Sequence, residues 1–219
     1  RSSMNDQPLR NRIALVTGAG RGLGQALVQA FADAGATVIC TARTQSQLDE
    51  TVAMIKATGG QAWAHACDAM DEQQVGNFYR TSWKRIVDTN LSTAFLMARG
   101  SLPLLRNGTD PKIITMGSGL GRAPRIASSA YGCGKAALSL FTKALAMELL
   151  PEGITVNELI PGPVGTDPDS FEPHYVNEGV FKGEYLKRPV DIIPLAMFLA
   201  TQPAHGPSGQ TFALNRRLI

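Results

Sequence analysis

The sequence is poor in the residues that hold metals, build disulfides or span membranes. Its 219 residues include three cysteines, Cys40, Cys67 and Cys133, and three histidines, His65, His174 and His205. None of these falls in the short spacing that zinc ligands need, so no metal site is expected. The number of cysteines is odd and two of them lie in apolar, strand-like surroundings, which fits a reducing compartment. No apolar stretch approaches the roughly 20 residues of a membrane helix, and the opening "RSSMNDQPLRNR" lacks the apolar core of a signal peptide. A cytoplasmic protein without a membrane partner is expected, with Met4 as its natural first residue. Charge of one sign is scarce as well. The formal net charge is +3, from 21 basic and 18 acidic side chains, and the basic residues form neither a run nor a stripe. A nucleic-acid partner is therefore not expected.

What the sequence does contain is an alternation. "RIALVTG" (12–18), "ATVICTA" (36–42), "QAWAHAC" (61–67), "KIITM" (112–116), "GITVNELI" (153–160) and "QTFAL" (210–214) read as short, largely apolar strands. Helical patterns lie between them. Leu23 to Ala34 places Leu23, Ala26, Leu27, Ala30 and Phe31 on one face, and Ser46 to Ala57 is stopped by Gly59 and Gly60. A third helix runs through "WKRIVDTNLSTAFLMARGSLPLL", and a fourth, long and apolar, begins near Tyr131. Strands alternating with helices specify an α/β fold with a parallel sheet covered on both faces, and the length suits a single domain.

The segment "TGAGRGLG" (17–24) follows the first strand and opens the first helix. Glycines in that context allow a tight turn whose backbone approaches a pyrophosphate, with the free N–H groups of a helix N-terminus aimed at the negative charge. At the end of the second strand a fold selective for NAD carries an acid for the ribose 2′-hydroxyl. Here the strand ends "CTAR". Thr41 and Ala42 offer no repulsion to a 2′-phosphate, and Arg43, with Arg21 from the glycine loop, supplies guanidinium groups able to grip one. NADP(H) is the expected cofactor; the plainer alternative for Arg43 is a solvated residue after a strand.

"SAYGCGKAAL" (129–138) sets Tyr131 and Lys135 four positions apart on one helical face. With the T-G-x-x-x-G-x-G loop at Thr17 to Gly24, Asn90 on the helix before "KIITM", and Ser118 just after it, 13 residues before Tyr131, the chain resembles the short-chain dehydrogenase/reductase family from about Asn11 to Leu214. The resemblance implies a Rossmann-like, doubly wound parallel sheet and hydride transfer between NADP(H) and a small carbonyl or alcohol. It implies Asn90, Ser118, Tyr131 and Lys135 as the catalytic group. A free phenol, with a pKa of about 10, is a poor proton acceptor at neutral pH, and a lysine one turn away favours its ionised form. Lys135 is also implied to bond the nicotinamide ribose, and Asn90 to hold the water that serves the lysine.

By the same resemblance Gly18, Arg21, Gly22, Leu23 and Gly24 form the pyrophosphate loop, and Asp68 contacts the adenine, with a helix N-cap as its alternative role. Pro161, Gly162, Val164 and Thr166 in "LIPGPVGTD" would bound the nicotinamide pocket. The irregular aromatic stretch from Asp167 to Pro189, with Phe171, Tyr175, Phe181 and Tyr185, reads equally as a substrate lid or a surface loop. The helix from Ala136 to Leu150 is apolar nearly all round, with a narrow polar strip at Ser139, Thr142 and Lys143, so one face covers the sheet and another needs a different partner; the resemblance implies that this partner is the equivalent helix of a second subunit, in a homodimer or homotetramer.

One family feature is missing. No N-A-G motif occurs anywhere, and only "DEQQVGNFYR" (71–80) separates the third strand from the helix containing Trp83 and Asn90. A crossover helix and a central strand need roughly 20 or more residues. An additional segment after about Val75 is expected in the natural polypeptide, with the lid after Asp167 shortened in the same way. If there is none, a dinucleotide-binding protein without turnover becomes the better reading.

Overall fold

The computed structural model describes residues 7–66, 86–123, 125–126, 128–165, 173–177 and 182–216. They fall into two compact units, the first built mainly from the N-terminal 68 residues with 187–201, the second from the middle of the chain with 174–186 and 202 onward.

In the first unit, β1 (Ile13–Thr17), β2 (Thr37–Ala42) and β3 (Gln61–Ala66) form a parallel sheet in the order β1-β2-β3. Ile13 pairs with Thr37, and Thr37 with Gln61, so the strands are in register at their starts. The crossovers are α1 (Gly22–Asp33) and α2 (Gln45–Ala57). Their apolar faces carry Leu27, Val28, Phe31, Leu48, Val52 and Ile55 into a core shared with Val38 and Cys40. The sequence places these elements to within one or two residues of where they occur.

In the second unit, β4 (Lys112–Met116), β5 (Thr155–Ile160) and β8 (Thr211–Ala213) form a second parallel sheet in the order β4-β5-β8. All six residues of β5 are buried, as a parallel strand covered on both faces requires. Helices α3 (Ser92–Leu105) and α4 (Ser129–Leu149) supply Ala98, Leu145, Ala146 and Leu149 to a cluster with Ile154 and Val156. Residues 86–90 are also helical, and Leu91 interrupts the path to α3. The Asn90 side-chain amide donates to Ile86 O at 2.7 Å, competing for the carbonyl that the Asn90 backbone N–H would use. A short α5 (Ile193–Thr201) belongs to the first unit.

The polar strip of α4 is turned inward at Ser139 and Thr142, which are 9% and 1% exposed and each hydrogen-bonded, whereas Leu140 and Met147 are 70% and 77% exposed. One expectation needs correcting. The stretch after Asp167 is not wholly irregular, because β6 (His174–Tyr175) and β7 (Tyr185–Leu186) pair as an antiparallel hairpin. Tyr175 and Tyr185 meet edge to face across it at 5.0 Å. Phe171 and Phe181 lie outside the described residues.

Among the described residues β1 pairs only with β2, and β4 only with β5. Each is therefore a sheet edge, and Ile13 of β1 is 71% exposed. The shortfall after Val75 lies outside the described residues.

Candidate active site

The second unit sets two of the four sequence-derived catalytic candidates on the first turns of α4 and brings the other two against the same helix. Tyr131 stands in the helix's first turn, 37% exposed, and Lys135 follows one turn later. The Lys135 ammonium lies 5.7 Å from the centre of the Tyr131 ring and donates a 2.7 Å hydrogen bond to Met116 O at the end of β4. Burial pulls the lysine's pKa down to about 8, with the charge of Glu158 acting in the opposite direction.

Ser118 follows β4 and begins a 3-10 turn, Gly119–Gly121, its Oγ accepting from Leu120 N at 3.3 Å. That use of a lone pair leaves the hydroxyl hydrogen free to be donated elsewhere. The turn lies directly on α4: a Cβ at Gly121 would come within 2.8 Å of the Lys135–Ala136 backbone, and one at Gly132 within 3.0 Å of Leu120 O. Asn90 reaches the helix at Gly134, where an added Cβ would stand 3.1 Å from its own Cβ. Small residues at 121, 132 and 134 thus let the serine turn and the asparagine helix close on the lysine.

Beneath the turn is a polar cluster that sequence reading missed. Glu158, in the middle of β5, is 1% exposed. Its Oε2 accepts from Arg122 Nη2 at 2.9 Å, Ser139 Oγ at 2.9 Å and Thr211 Oγ1 at 2.8 Å. The available signal was an acid inside an otherwise apolar strand, a position no carboxylate occupies without partners.

In the first unit the glycine loop has the form an anion requires. Gly18 and Gly22 adopt positive φ, 73° and 56°. A Cβ on Gly24 would collide with Gly18 O, so the first turn of α1 folds tightly under the loop. The helix begins at Gly22 with no side-chain cap and no acid in its first turn, leaving its N–H groups to a ligand. Leu23 is half-buried in that turn. Ala19 N donates to Thr41 O at 3.2 Å, tying the loop to the end of β2. Thr41 is itself only 3% exposed, so it offers its backbone rather than its hydroxyl. Arg21 and Arg43 are exposed and have no protein partner among the described residues. An uncapped helix start, an open backbone loop and two free guanidinium groups suit the phosphates of a dinucleotide.

Pro161 and Gly162 follow β5, Gly162 with φ 71°, and Val164 bridges to Lys187. Asp68 and Thr166 lie outside the described residues. Cys40 and Cys133 are free thiols, buried and exposed respectively. No helix of the described residues is long and apolar enough to cross a membrane.

The family model described as short chain dehydrogenase matches residues 12–82 and 76–173, in two pieces that overlap where the sequence is short. An uncharacterized oxidoreductase of Mycobacterium tuberculosis is 31% identical over 244 positions, covering 94% of this chain and 92% of that protein. Since 94% of 219 residues is about 206, that alignment holds about 38 gapped positions. Among solved structures, an NADP active-site complex of RhlG from Pseudomonas aeruginosa is similar with a TM-score of 0.79 and 29% identity, covering 96% of this chain and 98% of that one. A 3-oxoacyl-[acyl-carrier protein] reductase with bound NAD from Brucella melitensis has a TM-score of 0.79 and 26% identity, with 98% and 94% covered. The chain belongs to the short-chain dehydrogenase family of oxidoreductases, and its fold is the Rossmann-like α/β fold of that family.

Proposed function

We propose that the protein is an NADP(H)-dependent oxidoreductase that interconverts a small carbonyl compound and its alcohol, with one catalytic domain spanning 1–219 and acting in the cytoplasm. The observation that carries this reading is the convergence of Lys135, the Ser118 turn and Asn90 on the first turns of α4, beside an exposed Tyr131. The bound dinucleotide supplies or accepts the hydride. Tyr131 gives its phenolic proton to the substrate oxygen in reduction and takes it back in oxidation. Ser118 donates its free hydroxyl hydrogen to the same oxygen and fixes its orientation. Lys135 keeps a positive charge beside the phenol and bonds the ribose next to the nicotinamide. Asn90, anchored to Ile86 O through its amide nitrogen, has its amide oxygen left to hold the water through which the lysine exchanges protons.

For the cofactor, Gly18, Gly22, Leu23 and Gly24 present the loop that takes the pyrophosphate. Arg43 and Arg21 take the 2′-phosphate beside Thr41, Asp68 takes the adenine, and Pro161, Gly162, Val164 and Thr166 bound the nicotinamide. The absence of an acid after β2 supports NADP(H) over NAD(H). Similar proteins occur with each: the Pseudomonas complex with NADP, the Brucella structure with NAD.

The test is a carbonyl panel followed by NADPH absorbance, with Tyr131→Phe beside the wild type. The variant keeps the ring and loses only the proton-transferring hydroxyl, so turnover falls by about 100-fold or more while NADPH binding, read by fluorescence, persists. Undiminished turnover in Tyr131→Phe would remove the mechanism.

A second reading, dinucleotide binding without turnover, has one observation in its favour: the unpaired edges of β1 and β4 among the described residues. NADPH binding without turnover on any carbonyl would select it.

A further inference from the structure

A buried carboxylate is tolerated only where donors replace its water. Glu158 has three, and they come from three different elements: Arg122 from the end of the Ser118 turn, Ser139 from α4 one turn beyond Lys135, and Thr211 from β8. Arg122 ties them together, its Nη2 also donating to Ser139 Oγ at 3.2 Å and Thr211 Oγ1 at 2.6 Å. The other carboxylate oxygen faces Gly117, where any Cβ would collide with it. Gly117 stands between Met116, whose carbonyl takes the Lys135 hydrogen bond, and Ser118. The end of β4 is therefore flanked by the lysine's contact at Met116 and the glutamate's at Gly117.

We infer that Glu158 is a positioning residue for this site: through Arg122 it fixes the Ser118 turn on α4, and its negative charge is the buried counter-charge that holds Lys135 as an ammonium. The inference rests on the oxidoreductase reading for its catalytic meaning, but not for its effect on Lys135. Among the described residues named in these contacts, α4 brings Tyr131, the turn brings Arg122 and β5 brings Glu158, whereas β4 and β8 contribute a backbone carbonyl and a hydroxyl. Glu158 is the charge that works against the lysine's loss of its proton on burial.

The test replaces the carboxylate with its neutral isostere, Glu158→Gln. Lys135 is followed without cofactor, as the difference in urea-unfolding free energy between each background and the same background carrying Lys135→Met, measured from pH 5.5 to 10.5. That difference bends where folded Lys135 loses its proton, near pH 8 in the wild type. In Glu158→Gln the bend moves to lower pH by about one unit or more. Relative to the wild type, the alkaline limb of kcat/KM for carbonyl reduction moves the same way in Glu158→Gln, so activity lost at pH 8 returns toward pH 6. A purely structural role would lower kcat/KM equally at every pH and leave the bend in place; either an unmoved bend or an unmoved limb overturns the inference. Should Glu158→Gln not fold, because it strands the Arg122 charge, the Arg122→Gln/Glu158→Gln double variant is compared with Arg122→Gln, so that the two proteins again differ only in the carboxylate charge. If the wild type reduces no carbonyl, the oxidoreductase reading fails while the unfolding measurement still decides the role of Glu158.

Discussion

Holding Lys135 charged inside the second unit costs stability, and the cost has a defined pH window. Its pKa falls from the ordinary 10.5 to about 8 in the folded protein. The unfolded chain therefore binds more protons than the folded one between these values, so stability rises as pH rises through the window. Below pH 8 the full cost is present; above 10.5 both states hold a neutral lysine and it vanishes. At about 1.4 kcal/mol per unit the cost reaches about 3 kcal/mol, a large part of the stability of an ordinary domain. Lys135→Met keeps the length of the side chain, removes the charge and loses the hydrogen bond to Met116 O at every pH. Relative to wild type, the variant should then be favoured at pH 7 by up to about 3 kcal/mol more than at pH 10.5. Urea titrations at half-unit pH intervals, without cofactor, read the difference directly and cancel groups common to both proteins. A flat difference would show that burial does not depress the lysine. A difference of opposite slope would show that its partners raise it instead.

Arg43→Asp replaces an attractive charge beside the end of β2 with a repulsive one, and should weaken NADPH binding by about 10-fold to 100-fold while leaving NADH nearly unchanged; equal loss in both fluorescence titrations would make Arg43 structural. The outer face of α4 exposes Leu140 and Met147, one heptad apart, which supports a homodimer or homotetramer built on that helix. Leu140→Glu with Met147→Glu should reduce the mass seen by light scattering to that of one chain, and a mass unchanged by both would exclude this face. The natural polypeptide should weigh more than 23.4 kDa, by at least about 20 residues inserted after Val75, and an intact mass of 23.4 kDa would favour binding without turnover.

Elements with strong local signals were legible. The glycine loop announced itself because a strand, a glycine turn and a helix start are contiguous, and β5 because its segment is bounded by Gly153 before it and by Pro161 and Gly162 after it. Four elements were not legible, each for a physical reason. The β6–β7 hairpin has two residues per strand, too few for an alternating pattern. The inward bonding of Ser139 and Thr142 has no local signal because their partners, Glu158 and Thr115, lie on strands 19 and 27 residues away in the chain. The Arg122–Glu158–Thr211 cluster spans 89 residues and has no spacing that a motif could capture. The turn at Leu91 has no glycine or proline beside it to announce it in the sequence.

The opening motif of α4 shows where local information ends. Tyr131 and Lys135 ride the same helix, so their spacing alone sets them one above the other, and the structure brings the ammonium to 5.7 Å from the ring centre. Whether that lysine is charged at neutral pH is a different matter. It is decided by burial, by a counter-charge on β5 and by a carbonyl on β4, and none of these is encoded within the helix. A lysine with its proton affinity near neutrality can respond to small changes in field, because one unit of pKa is only about 1.4 kcal/mol. A counter-charge on another strand, such as Glu158, can therefore shift the lysine's proton affinity without altering the Tyr131–Lys135 spacing. The helix sets the spacing of the pair, and the strands beneath it set the field in which the lysine holds its proton.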